Sequence, residues 1–314
     1  MAKTRPDLNS KTQPELTVVL PNYNGVELLR RNLPSLLSAA KGIRTEIIVV
    51  DDASTDGSVS FLRDHYSDVI VVQNSKNLGF AETCNRGIRA TTGRFVCVSN
   101  TDVSFKEDFF RVGLTAFDSD AVFAVKGEIV NQNGLGETVN VDRTSRLHQK
   151  RGLLRFDTVM NRSQRDSEYG LNKSFVSLGC CFISRADFLK ELGGFDPIYS
   201  PFYWEDSDLT FRALKRGYRV VYQPEAVVYH QLSSTINKYR KKSYRKLVSN
   251  RNKFLFAWRF MAGPVQWGQH LIHLSFGVMA RWLILDWSFY MGLFWALWRR
   301  FLWRDRSHAL EIYS

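Results

Sequence analysis

Cysteine is scarce in this chain of 314 residues: Cys84, Cys97, Cys180 and Cys181 are the whole supply. None has CxxC spacing and the adjacent pair is too strained for an ordinary disulfide, so no disulfide scaffold or cysteine zinc site is expected. The thiols read as small buried hydrophobes in a reducing, cytosolic setting. Residues Met1–Glu15 hold no apolar run, so no secretory leader is expected there, and their polar, proline-containing composition predicts a disordered tail. Internal repeats and low-complexity tracts are absent too. What is present, 44% hydrophobic and 13% aromatic residues, suffices for a full core.

Acidic residues are missing from one long stretch. Between Glu225 and Asp286 there is no carboxylate, while Lys238, Arg240, Lys241, Lys242, Arg245, Lys246, Arg251, Lys253, Arg259 and Arg281 supply ten positive charges. The formal net charge of +12 therefore belongs to this segment, and the remainder is nearly neutral. Only Tyr239 and Tyr244 interleave with the 238–253 cations, and no nucleic-acid module surrounds them, so nucleic acid is not an expected partner. Seven of the eight tryptophans lie beyond His230. Cations beside indoles suit an anionic membrane surface.

Long apolar runs are lacking as well. Phe260–Ala280 carries Gly263-Pro264, Gln266, Gln269, His270 and His273, and Trp282–Trp298 carries Asp286 between Arg281 and Arg299-Arg300. This pattern predicts helices in the membrane interface, or a shallow re-entrant hairpin, rather than a span. The alternative is an aromatic core packed on the rest of the chain or on a second subunit.

The first half alternates β-branched runs with helical patterns, the mark of an α/β fold with a mostly parallel sheet. Strands are expected at Leu16–Leu20, Glu46–Val50, Val69–Gln73 and Phe95–Ser99, and helices at Val26–Ala40, Val59–Tyr66 and Ala81–Ala90. Asn131–Asn172 reads as a polar excursion, either a substrate lid or a surface loop. Beyond it, strands are expected at Phe175–Leu178, Cys181–Ser184, Arg219–Tyr222 and Ala226–Tyr229, with helices at Ala186–Leu192 and Ser207–Arg216.

Ligands of open parallel sheets bind beyond the carboxyl ends of the strands. There the chain places Pro21, Asn22, Tyr23, Asn24 and Gly25, then Asp51 and Asp52, then Asn100, Thr101 and Asp102. Tyr23 offers a face for a nucleobase, Asp52 an acceptor for a base or ribose, and Asp102 a hard oxygen ligand for a cation. Asp-rich turns are equally helix caps. Glu205 and Asp206 open a later helix, where a carboxylate serves either as a dipole partner or as a base for a hydroxyl. His230 stands just past a strand.

Together these residues resemble the family-2 glycosyltransferases of GT-A fold, especially the bacterial rhamnosyltransferase-like members. The ordered blocks are TVVLPNYNG, EIIVVDDASTDGS, NLGFAETCNRGI, VSNTDV, GGFDPIYSPFYWEDSDLTFR and VVYH. They cover about Leu16 to His230, with a looser extension to RNKFLF. The cations and indoles predict a basic, aromatic, membrane-associating helical region over 236–314, and the resemblance implies a GT-A domain over 16–235, with a mixed, mostly parallel sheet flanked by helices. It implies an inverting, metal-dependent transfer from a nucleotide-sugar donor to a glycan or polyprenyl-linked glycan, in polysaccharide synthesis on the cytoplasmic face of the inner membrane.

By the same resemblance Pro21, Tyr23, Asn24, Asp52, Asn77, Gly79, Asn100 and Thr101 would bind the nucleotide sugar. Asp102 and His230 would hold Mg2+ or Mn2+, Asp206 would be the catalytic base, and Glu205 would help place the acceptor. Asn100 stands at the first position of the DxD-like motif and removes one charge from the metal site. A catalytically silent sugar-nucleotide scaffold is the alternative this change leaves open.

Overall fold

A computed structural model describes residues 13–150, 152–159, 166, 174–231 and 241–310. The tail expected over 1–15 lies almost wholly outside them, as does much of 160–173. The strands β1 (Leu16–Asn22), β2 (Thr45–Asp51), β3 (Ile70–Gln73) and β4 (Phe95–Ser99) pair in parallel in the order β3-β2-β1-β4. Both flanks of β1 are thus occupied, so its apolar run is fully buried. The helices α1 (Val26–Ala39), α2 (Ser58–His65) and α3 (Phe80–Ala90) connect these strands. In α1, Leu29, Leu33 and Leu36 share the buried face. In α3, a Cβ on Gly87 would collide with Val19 Cγ1, so glycine lets that helix lie close on the sheet.

The sheet continues through β11 (Cys181–Arg185), antiparallel to β4, then β6 (Val122–Gln132), β12 (Arg219–Gln231) and β5 (Val103–Phe105), with β7 (Thr138–Asp142) pairing β6. The helices α4 (Phe109–Thr115), α5 (Ala186–Glu191) and α6 (Glu205–Lys215) complete this half. The sequence pattern assigns nothing to 103–130, where β5, α4 and most of β6 stand. The two strands expected at 219–222 and 226–229 are one strand with a register shift between Gln223 and Val227. Pro224 cannot donate a ladder bond, and the chain bulges around it.

The polar excursion is more regular than its composition suggests. Its described part holds β7 and a hairpin of β8 (Thr144–Lys150) and β9 (Leu153–Val159), joined by the two-residue β10 (Ser174–Phe175). Leu147, Leu154 and Phe175 are buried in the main core. Apolar residues this sparse do not declare a strand; pairing supplies it. The strand expected over Phe175–Leu178 shrinks to β10, and Val176 and Leu178 continue buried outside any strand.

Three helices follow: α7 (Lys242–Phe260), α8 (Gly263–Leu283) and α9 (Trp287–Leu310). Among the described residues, no helix is long and apolar enough to cross a membrane. The first of the three follows the packing alternative. Phe254, Leu255, Phe256, Ala257 and Trp258 are buried in the same core as Val19, Phe175 and Phe211, with Phe289 and Ala296 of α9 added. Several cations of the basic segment also find partners inside the protein. Arg259 pairs with Asp196 at 2.5 Å and Asp208 at 3.0 Å, while Lys246 and Arg281 reach Asp286 at 3.0 and 2.5 Å. Ser288, donating to Asp286, together with Lys246 and Arg281, holds that carboxyl down to about 2. Much of what stays exposed is apolar: Phe276, Trp282, Leu283, Ile284, Leu285, Trp287, Phe294 and Phe301.

Burial of α7 predicts that Phe256→Ala lowers stability by about 3–5 kcal/mol, read as a shift of the urea midpoint. The exposed Phe294→Ala should stay within about 0.5 kcal/mol of wild type. Equal effects would mean that α7 is no more core than α9.

Candidate active site

The order β3-β2-β1-β4 reverses direction between β1 and β4, which opens a crevice at their carboxyl ends. A cavity of about 380 Å3 lies there, lined by Pro21, Tyr23, Asp52, Asn77, Gly79, Asn100, Thr101, Asp102, Glu205, Asp206 and His230. Of the residues expected at the site, Asn24 alone is missing from this lining. It stands at φ 49°, and its Oδ1 accepts from Thr55 N at 2.8 Å while its own N donates to Ser54 Oγ at 2.8 Å. Its work is to lock the β1 and β2 turns together.

Asp52 is buried and already occupied on three sides. Its Oδ1 accepts from Asn74 Nδ2 and Leu78 N, both at 2.7 Å, and its Oδ2 from Gly79 N at 3.0 Å. A carboxylate has about four acceptor positions, so one remains on Oδ2 for a ligand. The same carboxylate therefore builds the Asn77–Phe80 wall and faces what that wall binds. Asp51 serves structure, accepting from Asn22 Nδ2 and Ser54 N, each at 2.9 Å. Asn22 Oδ1 is buried and has no hydrogen-bond partner among the described residues.

Asp102 and His230 meet because β5 and β12 pair antiparallel with Val103 opposite His230, while Gln231 N donates to Asp102 O at 3.0 Å. His230 Nε2 stands 3.4 Å from Asp102 Oδ1. On the other side, Nδ1 is 2.8 Å from Asn131 Oδ1, and Asn131 Nδ2 donates to Asn140 Oδ1 at 2.7 Å. The amide oxygen of Asn131 thus faces the ring and fixes the proton on Nδ1. Burial alone would pull His230 down, but hydrogen bonds to Asp102 and Cys180 outweigh it and push the imidazole up to about 10. Burial pushes the Cys180 thiol up and keeps it neutral at pH 7, so Asp102 supplies the attraction that counts.

The acid pair opens α6. Asp206 Oδ2 accepts from Ser177 Oγ and from Gly179 N at 3.1 Å, and no hydrogen bond to Oδ1 is found among the described residues. Glu205 is buried, and its Oε2 has no partner among the described residues. Burial first, then the neighbouring Asp206 charge, pushes Glu205 up to about 8. Two adjacent carboxyls with environments this different divide naturally into a proton holder and a base.

The approach to the pair is strained. Tyr203 and Trp204 both adopt left-handed backbone, φ 75° and 77°, at a cost of about 1–3 kcal/mol each. Trp204 packs between Phe156 of β9 and Phe256 of α7, with ring centroids at 5.6 and 5.1 Å. Phe80 lines the cavity at the end of the expected Asn77–Phe80 turn; Pro201, Phe202, Tyr203 and Trp204 line it too, as do Thr83, Gly179 and Cys180, none of which the sequence reading assigned. A proline-aromatic run immediately before an acid pair was the available signal for 201–204. Cys180 carried none, since burial and reactivity look alike in sequence.

A sheet with this switch point, a carboxylate at each of two strand ends and an acid pair opening a helix across the crevice make the fold a GT-A fold. Residues 17–192 match the model described as glycosyl transferase family 2, more than half of the chain, and the protein belongs to that family. It is 31% identical over 221 residues to the pre-mycofactocin glycosyltransferase of Mycobacterium tuberculosis, covering 69% of this chain and 42% of that protein. The chain thus spans less than half the length of that relative. Among solved structures it is similar to the mannosyltransferase PcManGT of Pyrobaculum calidifontis in complex with GDP-Man and Mn2+. That match has a TM-score of 0.54 and 17% identity, over 91% of this chain and 74% of that one. It is also similar to S. aureus TarS 1-349 in complex with UDP, with a TM-score of 0.53 and 18% identity, over 74% and 69%. The rhamnosyltransferase-like subgroup is not singled out by these likenesses.

Glu205 generates a pH prediction. Between pH 4.5, its ordinary value, and about 8, the folded chain holds a proton there that the unfolded chain has released, so stability falls as pH rises. Glu205→Gln removes that slope. The difference in urea midpoint between variant and wild type should grow in the variant's favour from pH 5 to pH 9; a constant difference would mean Glu205 is not raised.

Proposed function

We propose that this chain is an inverting glycosyltransferase that moves a sugar from a nucleoside-diphosphate donor to a hydroxyl of a glycan or lipid-linked glycan. The observation that carries the reading is the shared cavity: a base-side acceptor at Asp52, a cation-side pair at Asp102 and His230, and an acid pair at Glu205 and Asp206 line one space. Tyr23 and Pro21 would flank the nucleobase, with the free position of Asp52 Oδ2 accepting from base or ribose. Asp206 Oδ1 would take the acceptor proton as its oxygen attacks the anomeric carbon. The carbon–oxygen bond to the diphosphate breaks on the opposite side, and the nucleoside diphosphate leaves with the electron pair. Glu205, protonated at neutral pH, would donate a hydrogen bond rather than compete for that proton. A silent scaffold would have no need of an acid pair held this differently.

The donor set fits a divalent cation. Among the described residues no group of three or more histidine, cysteine, aspartate or glutamate side chains could hold a metal, but one carboxylate and one imidazole, whose Nε2 would release its proton on binding a cation while Asn131 keeps the other on Nδ1, suit a cation whose remaining ligands are diphosphate oxygens and water. Such a cation, when bound, would offset the charge that develops on the leaving diphosphate. The Mn2+ in the mannosyltransferase structure supports this assignment.

We further propose that α8 and α9 rest on an anionic membrane surface, at its cytoplasmic face, with the Trp282–Leu285 turn and Trp287 inserted. Support comes from the exposure of those residues, between 60% and 83%, together with the exposed cations Lys241 and Lys242 at the start of α7 and Arg300 of α9. A lipid-linked acceptor would then be delivered beside the cavity.

Asp206→Asn is expected to lower transfer by about a hundredfold or more while the thermal shift produced by nucleotide sugars with Mn2+ is kept; near-normal turnover would remove Asp206 as the base. In vesicle flotation, wild type should rise with anionic but not neutral lipid, and Trp282→Ser/Trp287→Ser should stay down. Equal recovery of both proteins on both lipids would refute the membrane assignment.

A further inference from the structure

Arg251 and Asn252 lie on α7, beyond the matched family region and outside the cavity lining, yet they are fully buried and polar. Their hydrogen bonds go to one place. Asn252 Nδ2, with two hydrogens shared among three acceptors, lies 2.8, 2.9 and 2.8 Å from the carbonyl oxygens of Tyr199, Phe202 and Tyr203. Arg251 Nη2 donates to the carbonyls of Tyr199 at 3.0 Å and Ser200 at 2.5 Å. Arg251 Nε holds Asn252 Oδ1 at 2.8 Å, which fixes the orientation of the amide and turns Nδ2 toward the loop. The guanidinium lies 4.1 Å from the centre of the Trp295 ring of α9. Nearby, Arg299 Nη2 donates to Pro197 O at 2.8 Å.

The loop so gripped, 199–204, is the strained approach to the acid pair. Its opposite side meets the donor wall, where Phe80 N donates to Pro201 O at 3.4 Å and the Cα of Pro201 would be 3.6 Å from a Cβ on Gly79. Carbonyls drawn toward one amide nitrogen are what a chain turning through left-handed backbone at two bulky residues presents, and that amide opposes their return to an ordinary conformation. Among the described residues no carboxylate pairs with Arg251. A core built for stability alone would replace a buried cation of this kind with apolar side chains.

We infer that Arg251 and Asn252 are positioning residues for catalysis: they clamp loop 199–204 in its left-handed form and thereby aim Asp206 and Glu205 into the cavity. The inference rests on the reading of Asp206 as the base, and it adds that the C-terminal helices form part of the catalytic apparatus. Their contribution runs through backbone carbonyls rather than through contact with a substrate.

The test combines amide hydrogen exchange with steady-state kinetics on the full chain bearing Asn252→Ala, Arg251→Lys or Asp206→Asn. Exchange needs no substrate, so it reads the clamp even where the base assignment fails. Asn252→Ala is expected to speed exchange over 199–206 by about tenfold or more while β1 and β2 stay protected. With whichever nucleotide sugar of a UDP-, GDP- and dTDP-linked panel turns over in Mn2+, the same variant should lower kcat by about a hundredfold. Its donor KM should change by less than about threefold. Arg251→Lys, which keeps the charge and loses the fork, should fall between Asn252→Ala and wild type. Unchanged protection of 199–206 overturns the inference. So does a loosened loop with wild-type kcat, or a parallel loss of kcat, donor affinity and melting temperature, which a general loss of fold would give. Full turnover by Asp206→Asn overturns the base assignment alone, and exchange then still decides the clamp.

Discussion

Parallel pairing of β1 with both β2 and β4 constrains everything else in this molecule. A parallel strand must be re-entered from the same end, so each carboxyl terminus opens on the same edge and each return passes through a helix. Where the order reverses between β1 and β4, no helix can cover the gap. The ends of β1, β2 and β4 therefore bring Tyr23, Asp52 and Asp102 to one crevice. The antiparallel strands β5 and β12 then finish what the parallel half begins, because their register sets His230 against Asp102.

Electrostatics within the cavity follows from this geometry. Asp52 is held on three sides by the wall it organises, Asp102 is matched by an imidazole, and Glu205 Oε2 has no partner among the described residues beside a second carboxylate. Three acids of similar chemistry thus acquire three different behaviours from burial and neighbours. The N–H groups that hold Asp52 come from the turn after the next strand, at Leu78 and Gly79, whereas the imidazole that meets Asp102 comes from the far end of the sheet's chain, at His230.

Sequence patterns made the parallel half legible because its signals are local: apolar runs the length of a strand, helices with one buried stripe, and polar turns after each strand. The cavity residues on those turns were legible for the same reason. Asn24 looked like one of them, since an asparagine that faces a ligand and one that braces a turn occupy the same position in a motif. The hairpin of β8 and β9 was hidden by its polarity, because only pairing and the docking of Leu147 and Leu154 make it a structure. The C-terminal region poses the reverse difficulty. Cations and tryptophans suggest a surface wherever they lie, and only tertiary structure reveals that Trp258 is core and that Arg259, Lys246 and Arg281 are answered by carboxylates.

The position of α7 in the chain has a consequence for biosynthesis. Residues 16–99 carry the parallel half of the sheet and can pair as soon as they emerge, since domains assemble as units in order of synthesis. The loop at 199–204 cannot settle on that schedule, because the groups that hold its carbonyls sit at 251 and 252 and the ring beneath Arg251 at 295. A nascent chain still on the ribosome can thus shape the crevice at its strand ends well before it can set the acid pair, and the acid pair waits on α7 and α9.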